Sequence, residues 1–71
     1  MTLNFDVLHP FKAKEPISGR EHRFESGAVV TCETDQTGAT ITIEAEMSLF
    51  LVDRSIFDSC CKFRNAGSTS V

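Results

Sequence analysis

The chain has 71 residues, of which 41% are hydrophobic and 24% are charged, and its formal net charge is −3. This length excludes a second domain of ordinary size, and this composition excludes the polar, highly charged class of disordered chains. No stretch approaches the roughly 20 apolar residues of a membrane span, and the first residues lack the basic and apolar regions of a signal peptide. We therefore expect a cytoplasmic protein with one folded domain over residues 1–64. The last seven residues, 65–71, are small and polar and predict a disordered tail.

The first third of the chain predicts strands interrupted by turns. Apolar and polar residues alternate from Leu3 to Val7 and again from Phe11 to Ala13, as in β-strands. Pro10 between them suits a bend or an edge. Residues 15–27 predict a turn followed by a short strand or a long loop, with Phe24 returning to the core.

The clearest strand runs from Thr40 to Glu46, where Ile41, Ile43 and Ala45 share one face. Residues 28–33 form a second, β-branched run before it. The two runs predict a hairpin whose turn ends at Gly38, a residue that can supply a positive φ. The outward face of this hairpin would carry Thr31, Glu33, Thr40, Thr42 and Glu44.

The apolar run from Ser48 to Val52 predicts a third strand, either buried on both faces or covered on one face by a partner. After it, Asp53 or Ser55 can cap a short helix, because Ser55-x-x-Asp58 has the spacing of a capping box. The apolar face of this helix would comprise Ile56, Phe57, Cys60 and Phe63. The alternative is one continuous helix from Glu44 to Lys62, which Ser55 and the β-branched residues argue against.

These elements predict a mainly β fold, namely a small antiparallel β-barrel or curved sheet with one short C-terminal helix. Their order over residues 11–58 resembles that of the SH3-like barrels, in which a strand passes into a short helical turn as it does from Leu51 to Phe57. The resemblance is one of pattern and implies a binding module for peptides, proteins or nucleic acids.

The charges are unevenly distributed along the chain. From Phe24 to Asp53 there is no Lys or Arg, while six carboxylates lie in this segment. Nucleic-acid binding depends on Lys and Arg that neutralise phosphates, so this segment favours a protein partner with a basic surface over DNA or RNA. The alternative is that the carboxylates form a solvated sheet face that maintains solubility.

Two further features are candidates for binding. A charged cluster runs from Arg20 to Arg23 in a predicted loop, and Phe50 lies in a strand with large apolar side chains on both faces. The alternatives are an ordinary solvated loop and full burial of the strand under the helix. The predicted partner-binding residues are Arg20, His22, Arg23, Glu33, Asp35, Glu44, Glu46 and Phe50.

The residue pattern does not predict catalytic or metal chemistry. Cys32, Cys60 and Cys61 cannot all pair, and adjacent cysteines are poorly placed to bridge each other, so we expect reduced thiols, with Cys32 and one of the others buried. The ligand spacing does not fit a zinc site, and the isolated glycines do not form a phosphate loop. We therefore predict no enzymatic activity, no metal and no cofactor.

The leading functional hypothesis is a small acidic protein-binding module. Compact chains without catalytic motifs are commonly encoded by phages and plasmids, where they act as inhibitors or adaptors on a host protein. A homodimer is a further option for a domain with so small a core. The alternative is a nucleic-acid-binding barrel, which requires the basic residues to converge on one face: Lys12, Lys14, Arg20, Arg23, Arg54, Lys62 and Arg64.

Overall fold

A computed structural model describes residues 1–64 of the chain. The predicted tail, residues 65–71, lies outside the described residues. The described part forms seven β-strands and one α-helix. In chain order they are β1 (Thr2–Val7), β2 (Phe11–Lys14), β3 (Glu21–Phe24), β4 (Val29–Glu33), β5 (Thr40–Ala45), β6 (Ser48–Asp53), α1 (Arg54–Cys60) and β7 (Cys61–Phe63).

All seven strands belong to one antiparallel sheet with the order β3-β2-β6-β5-β4-β1-β7. The predicted mainly β fold with one short helix near the C-terminal end is therefore confirmed. The predicted barrel is wrong, because the edge strands β3 and β7 do not pair with each other and the sheet stays open. A closed barrel would require β3 to pair with β7, and β7 has only three residues. The open sheet also departs from the SH3-like barrel that the resemblance implied.

The interrupted alternation near the N-terminus becomes β1 and β2, as predicted. Of the two alternatives for this segment, the short strand is present as β3, and the long loop over residues 15–27 is wrong. The β2–β3 turn is tight because Gly19 has a φ of +73°. Glu15 donates its N–H to the Arg20 carbonyl oxygen and accepts a hydrogen bond from the Gly19 N–H, which is the pattern of a glycine bulge. Phe24 returns to the core as predicted.

The predicted hairpin is present as β4 and β5, in which Cys32 lies opposite Ile43. Gly38 takes the predicted positive φ, at +94°. The third predicted strand is β6, which returns along the whole length of β5. Glu46 and Met47 form the connecting turn with φ values of +50° and +62°, and positive φ at both central residues is typical of a two-residue hairpin turn. The alternative of a continuous helix starting near Glu44 is therefore wrong.

The predicted short helix is α1, and it packs against β5, β6 and β7. Asp53 is the residue at its N-cap, but the Asp53 side chain makes no capping hydrogen bond. Ser55 lies within the first turn, so the predicted capping box is wrong. Within α1 only Phe57 is buried, while Ile56 is exposed.

The chain becomes extended again directly after α1. Phe63, which we predicted on the helix, lies in β7 opposite Phe5 of β1. The backbone of Cys61 is already extended, because β7 pairs with β1 from this residue on. No helix within residues 1–64 is long and apolar enough to cross a membrane.

One face of the sheet, the inner face, carries the core. Phe24 links its aromatic side chains, with ring centroids 5.2 Å from both Phe11 and Phe50. Full burial of one such ring stabilises a fold by roughly 1.5–3 kcal/mol. The buried residues are Val7, Phe11, Ala13, Phe24, Val30, Cys32, Ile41, Ile43, Phe50, Val52 and Phe57.

Candidate functional site

The opposite, outer face of β4 and β5 carries the predicted acidic residues of the hairpin. Glu33 and Glu44 are exposed there, whereas Thr31 and Thr42 are half-buried between them. Together with Leu49 of β6, these residues line a shallow depression of about 270 Å³. The structure therefore brings two of the predicted carboxylates to one surface.

Two side chains hold the β4–β5 loop in place, a role that the sequence pattern did not predict for either of them. The side-chain amide of Gln36 donates to the Thr42 carbonyl oxygen at 2.8 Å and accepts from the Thr42 N–H at 2.6 Å. Arg54 donates to the carbonyl oxygens of Gly38 and Gln36 at 2.7 and 2.9 Å. Because Gln36 satisfies both backbone groups of Thr42, it takes the place of a neighbouring strand at this point.

The remaining predicted carboxylates lie further apart. Asp35 is exposed in the β4–β5 loop, and Glu46 lies in the β5–β6 turn at the other end of β5. A strand of six residues spans about 20 Å. The predicted acidic surface is therefore extended along the hairpin and is not a single cluster.

A second surface, which we call the tip patch, consists of Ile17, Met47 and Leu49. Ile17 in the β2–β3 turn and Met47 in the β5–β6 turn are fully exposed, and Leu49 on the outer face of β6 is 47% exposed. Leu49 lines two adjoining depressions, one shared with Ile17 and the other with Met47. The three side chains therefore lie at one end of the sheet. Exposed apolar side chains that lie together form a surface on which another molecule can dock.

Carboxylates border the tip patch. Glu44 lines the depression beside Met47, and Glu15 lines the one beside Ile17. The Ser18 hydroxyl donates to Glu15 at 2.6 Å and, with the Arg20 guanidinium, holds the pKa of this carboxyl below its usual value. Glu15 is therefore negatively charged at neutral pH, and the apolar side chains have an acidic rim.

Glu46 ties the β5–β6 turn to β3. Its carboxylate Oε2 lies 3.1 Å from Nε2 of His22. The His22 ring stacks on Phe50, with centroids 5.3 Å apart, and meets Phe24 edge-on at 4.6 Å. His22 therefore fixes the turn that carries Met47.

The predicted charged cluster from Arg20 to Arg23 is not one loop surface, and this prediction is wrong. Alternate residues of a strand point to opposite faces, so His22 in β3 faces the core while Arg23 points outward. Arg20 in the turn pairs with Glu15 at 3.5 Å, and Arg23 pairs with Glu25. The three predicted contact residues therefore face different surroundings.

Phe50 also requires a correction. It is 2% exposed and packs between Phe24 and His22 on the inner face, so it is part of the core and does not reach a partner in this fold. The strand is apolar on both faces as predicted, but the outward side chain is Leu49. Because successive side chains of a strand point to opposite faces, the neighbours Leu49 and Phe50 lie on different sides of the sheet.

The basic residues divide between the two edges of the sheet. Lys12, Lys14 and Arg23 lie on β2 and β3, and Lys62 and Arg64 lie on or just after β7. The guanidinium of Arg54 is bonded to the β4–β5 loop. Since β4 and β5 with their carboxylates lie between the edges, the described basic side chains form two separate groups and not the continuous basic surface that the nucleic-acid alternative requires.

The three cysteines are free in the structure. Cys32 is buried as predicted, whereas Cys60 and Cys61 are both half-buried, so the expected burial of one of these two is wrong. Burial raises the pKa of Cys32 to about 12 and that of Cys61 to about 11. A nucleophilic cysteine needs a depressed pKa, so neither of these two thiols has the required property.

Comparison of the chain with protein-family models, with curated proteins and with solved structures finds no match in any of the three. The tip patch and the carboxylates beside it are the features from which a function can be inferred.

Proposed function

We propose that this chain is a small protein-binding module that docks the tip patch and the adjoining outer-face carboxylates onto a basic surface of another protein. The exposure of Ile17, Met47 and Leu49 at one end of the sheet, beside Glu15 and Glu44, carries this proposal. Protein interfaces combine an apolar centre with a polar, charged rim, and charge complementarity sets specificity and association rate.

Local bonds hold the tip patch in one shape before binding. Ile17 lies in a turn closed by the glycine bulge at Gly19, and Met47 lies in a two-residue turn that Glu46 ties to His22. A surface that is ordered in advance loses less conformational entropy on association, which favours affinity.

The magnitudes indicate that the interface extends beyond the tip patch. Full burial of one large apolar side chain is worth roughly 1.5–3 kcal/mol, whereas association costs about 4–15 kcal/mol. Three such side chains supply roughly 5–9 kcal/mol, so at best they exceed the cost of association by a few kcal/mol and leave little net affinity. The depression next to Leu49, with Glu33 and Glu44 on its rim, is the adjoining surface on which further contacts would form.

Such a module acts by covering a surface of its partner, and this fits an inhibitor or an adaptor in the cytoplasm. Phages and plasmids encode compact proteins of this kind against host proteins, and the single small sheet formed by residues 1–64 is what supports this part of the proposal.

An affinity pulldown with nuclease added tests the proposal through matched variants. Leu49→Lys and Met47→Lys place a cation in the tip patch, and Ile56→Lys on α1 is the control because Ile56 is also an exposed apolar residue, at 42%. We expect partner capture to fall about tenfold or more for the two patch variants, as is typical of residues at the centre of an interface. Capture should be unchanged for the control and should weaken as salt is raised.

Two results would overturn the proposal. One is capture by Leu49→Lys and Met47→Lys at the wild-type level, with all variants folded by circular dichroism. The other is loss of the captured partners on nuclease treatment, which would favour nucleic-acid binding through the basic residues at the edges of the sheet.

A further inference from the structure

Strand β3 is an open edge of the sheet, hydrogen-bonded on one side to β2. Hydrogen-bonded and non-hydrogen-bonded pairs alternate along an antiparallel ladder. The Glu15 N–H donates to the Arg20 carbonyl oxygen, so Glu15 and Arg20 are a hydrogen-bonded pair. The next pair, Lys14 with Glu21, is therefore non-bonded, and the one after it, Ala13 with His22, is bonded. The backbone N–H and C=O groups of Glu21 and Arg23 therefore point away from β2, toward the open edge.

The register between β2 and β6 agrees with this assignment. β2 meets β6 at the pair Lys14 and Leu51, so the backbone of Lys14 faces β6 and not β3. Lys14 also lies opposite Glu21 in the hairpin. The bond at Glu15 and the β2–β6 register thus give the same alternation, and β3 presents two outward residues for pairing.

We propose that two copies of this chain pair antiparallel along β3, centred on His22, so that the sheet of one copy continues into the sheet of the other. The charges select this register. Outward-facing residues must meet outward-facing residues, which allows three registers. Two of them place Glu21 opposite Glu21 or Arg23 opposite Arg23, whereas the third places Glu21 of each copy opposite Arg23 of the other.

The strand β3 contains no proline and no internal bulge, two of the features that protect exposed edges. It is short and its outward side chains are charged, and the proposed register places these charges in opposite-charge pairs. Arg23 pairs with Glu25 in its own chain, but a guanidinium has five donors and can accept a second carboxylate partner. The ring of His22 is held on the inner face by Phe50 and Glu46, which leaves the outer side of the strand to the charged pairs.

The tip patch is a different surface, so the inference does not depend on the proposed function. It is tested by sedimentation equilibrium of the wild type, of Arg23→Glu, of Glu21→Arg and of the double variant that swaps both charges. Each single variant places like charges opposite each other at two symmetric positions, and we expect the dimer Kd to rise about tenfold or more. The double variant restores opposite charges and should dimerise within about threefold of the wild type.

Amide hydrogen exchange locates the contact. On going from dilute to concentrated protein, the amides of Glu21 and Arg23 should become protected, while that of His22, already bonded within the hairpin, should change little. A wild type that stays monomeric at millimolar concentration overturns the proposal. So does dimerisation by both single variants at the wild-type level, a double variant that fails to dimerise, or a dimer in which exchange at Glu21 and Arg23 is unchanged.

Discussion

The inner and outer sides of β6 differ in burial although both carry large apolar residues. Phe50 is 2% exposed and lies among aromatic rings, whereas its neighbour Leu49 is 47% exposed and borders three depressions. Both are large apolar residues of the same strand, so hydrophobicity does not distinguish them. Their side of the sheet does, because stability resides in one face and recognition is proposed for the other.

The largest expected effect follows from Phe50. Phe50→Ala should lower the free energy of unfolding by about 3–5 kcal/mol, because it removes a fully buried ring and leaves a cavity. A domain of this size has on the order of 3–5 kcal/mol of net stability, so this variant should be largely unfolded. Leu49→Ala should cost about 1 kcal/mol or less, since its side chain is already half in water. Urea unfolding followed by circular dichroism measures both, and equal losses would contradict the division of β6 into two faces.

Arg54 should have the next largest effect. Arg54→Ala removes two hydrogen bonds from a charged donor to the β4–β5 loop, and we expect a loss of about 1–3 kcal/mol of unfolding free energy. Arg54→Lys, which retains the charge but not the two-pronged donor, should fall between the wild type and Arg54→Ala. Loss of exchange protection at the Thr42 amide would show that the loop has loosened, and an unchanged amide would contradict this role of Arg54.

Stability should decrease at alkaline pH because of the thiols. The pKa of Cys32 is raised by burial from 9.0 to about 12, so between these values the unfolded chain loses a proton that the folded chain keeps. The thiol therefore contributes fully below pH 9, and the unfolding free energy should fall by about 1 kcal/mol per pH unit above it. Urea unfolding at pH 8, 9 and 10 measures this slope. Cys32→Val, which removes the thiol at similar volume, should have a shallower slope, and an identical slope would rule out Cys32 as the cause.

The smallest expected effect is that of Glu46→Gln. This change replaces the carboxylate that lies 3.1 Å from Nε2 of His22 with an amide at an exposed position, where such a contact contributes about 0–1 kcal/mol, so the urea midpoint should shift only slightly. The β5–β6 turn should become more mobile, visible as faster amide exchange at Met47. If Glu46→Gln lowered the unfolding free energy as much as Phe50→Ala, the contact between Glu46 and His22 would be part of the core, contrary to this account.

Much of the local structure could be predicted from the sequence, because it depends on residues close together in the chain. The alternation from Thr40 to Glu46 is sufficient to predict β5, and Gly38 marks the turn before it. Strand β3 is harder to predict, because three of its four residues in Glu21–Phe24 are polar or charged. The apolar alternation that marks a strand is therefore missing, and only Phe24 indicates a return to the core.

The open sheet and the tip patch could not be predicted in the same way. The order of strands depends on the pairing of β2 with β6, which brings together segments distant in sequence. Met47 lies two residues before Leu49, but Ile17 lies in the turn of a separate hairpin and becomes a neighbour of Leu49 only through that pairing. Alternation along β6 predicts two faces, but which face is covered depends on the rings that β2 and β3 contribute.

Site-specific photo-cross-linking tests the proposed docking of the tip patch most directly. A photoreactive phenylalanine analogue at position 47, in the tip patch, is compared with the same analogue at position 56 on α1, both exposed in the folded chain. We expect one protein partner to be cross-linked from position 47 and not from position 56, with nuclease making no difference. Cross-linking from position 56 alone, or equally from both positions, would contradict the assignment of the tip patch as the docking surface.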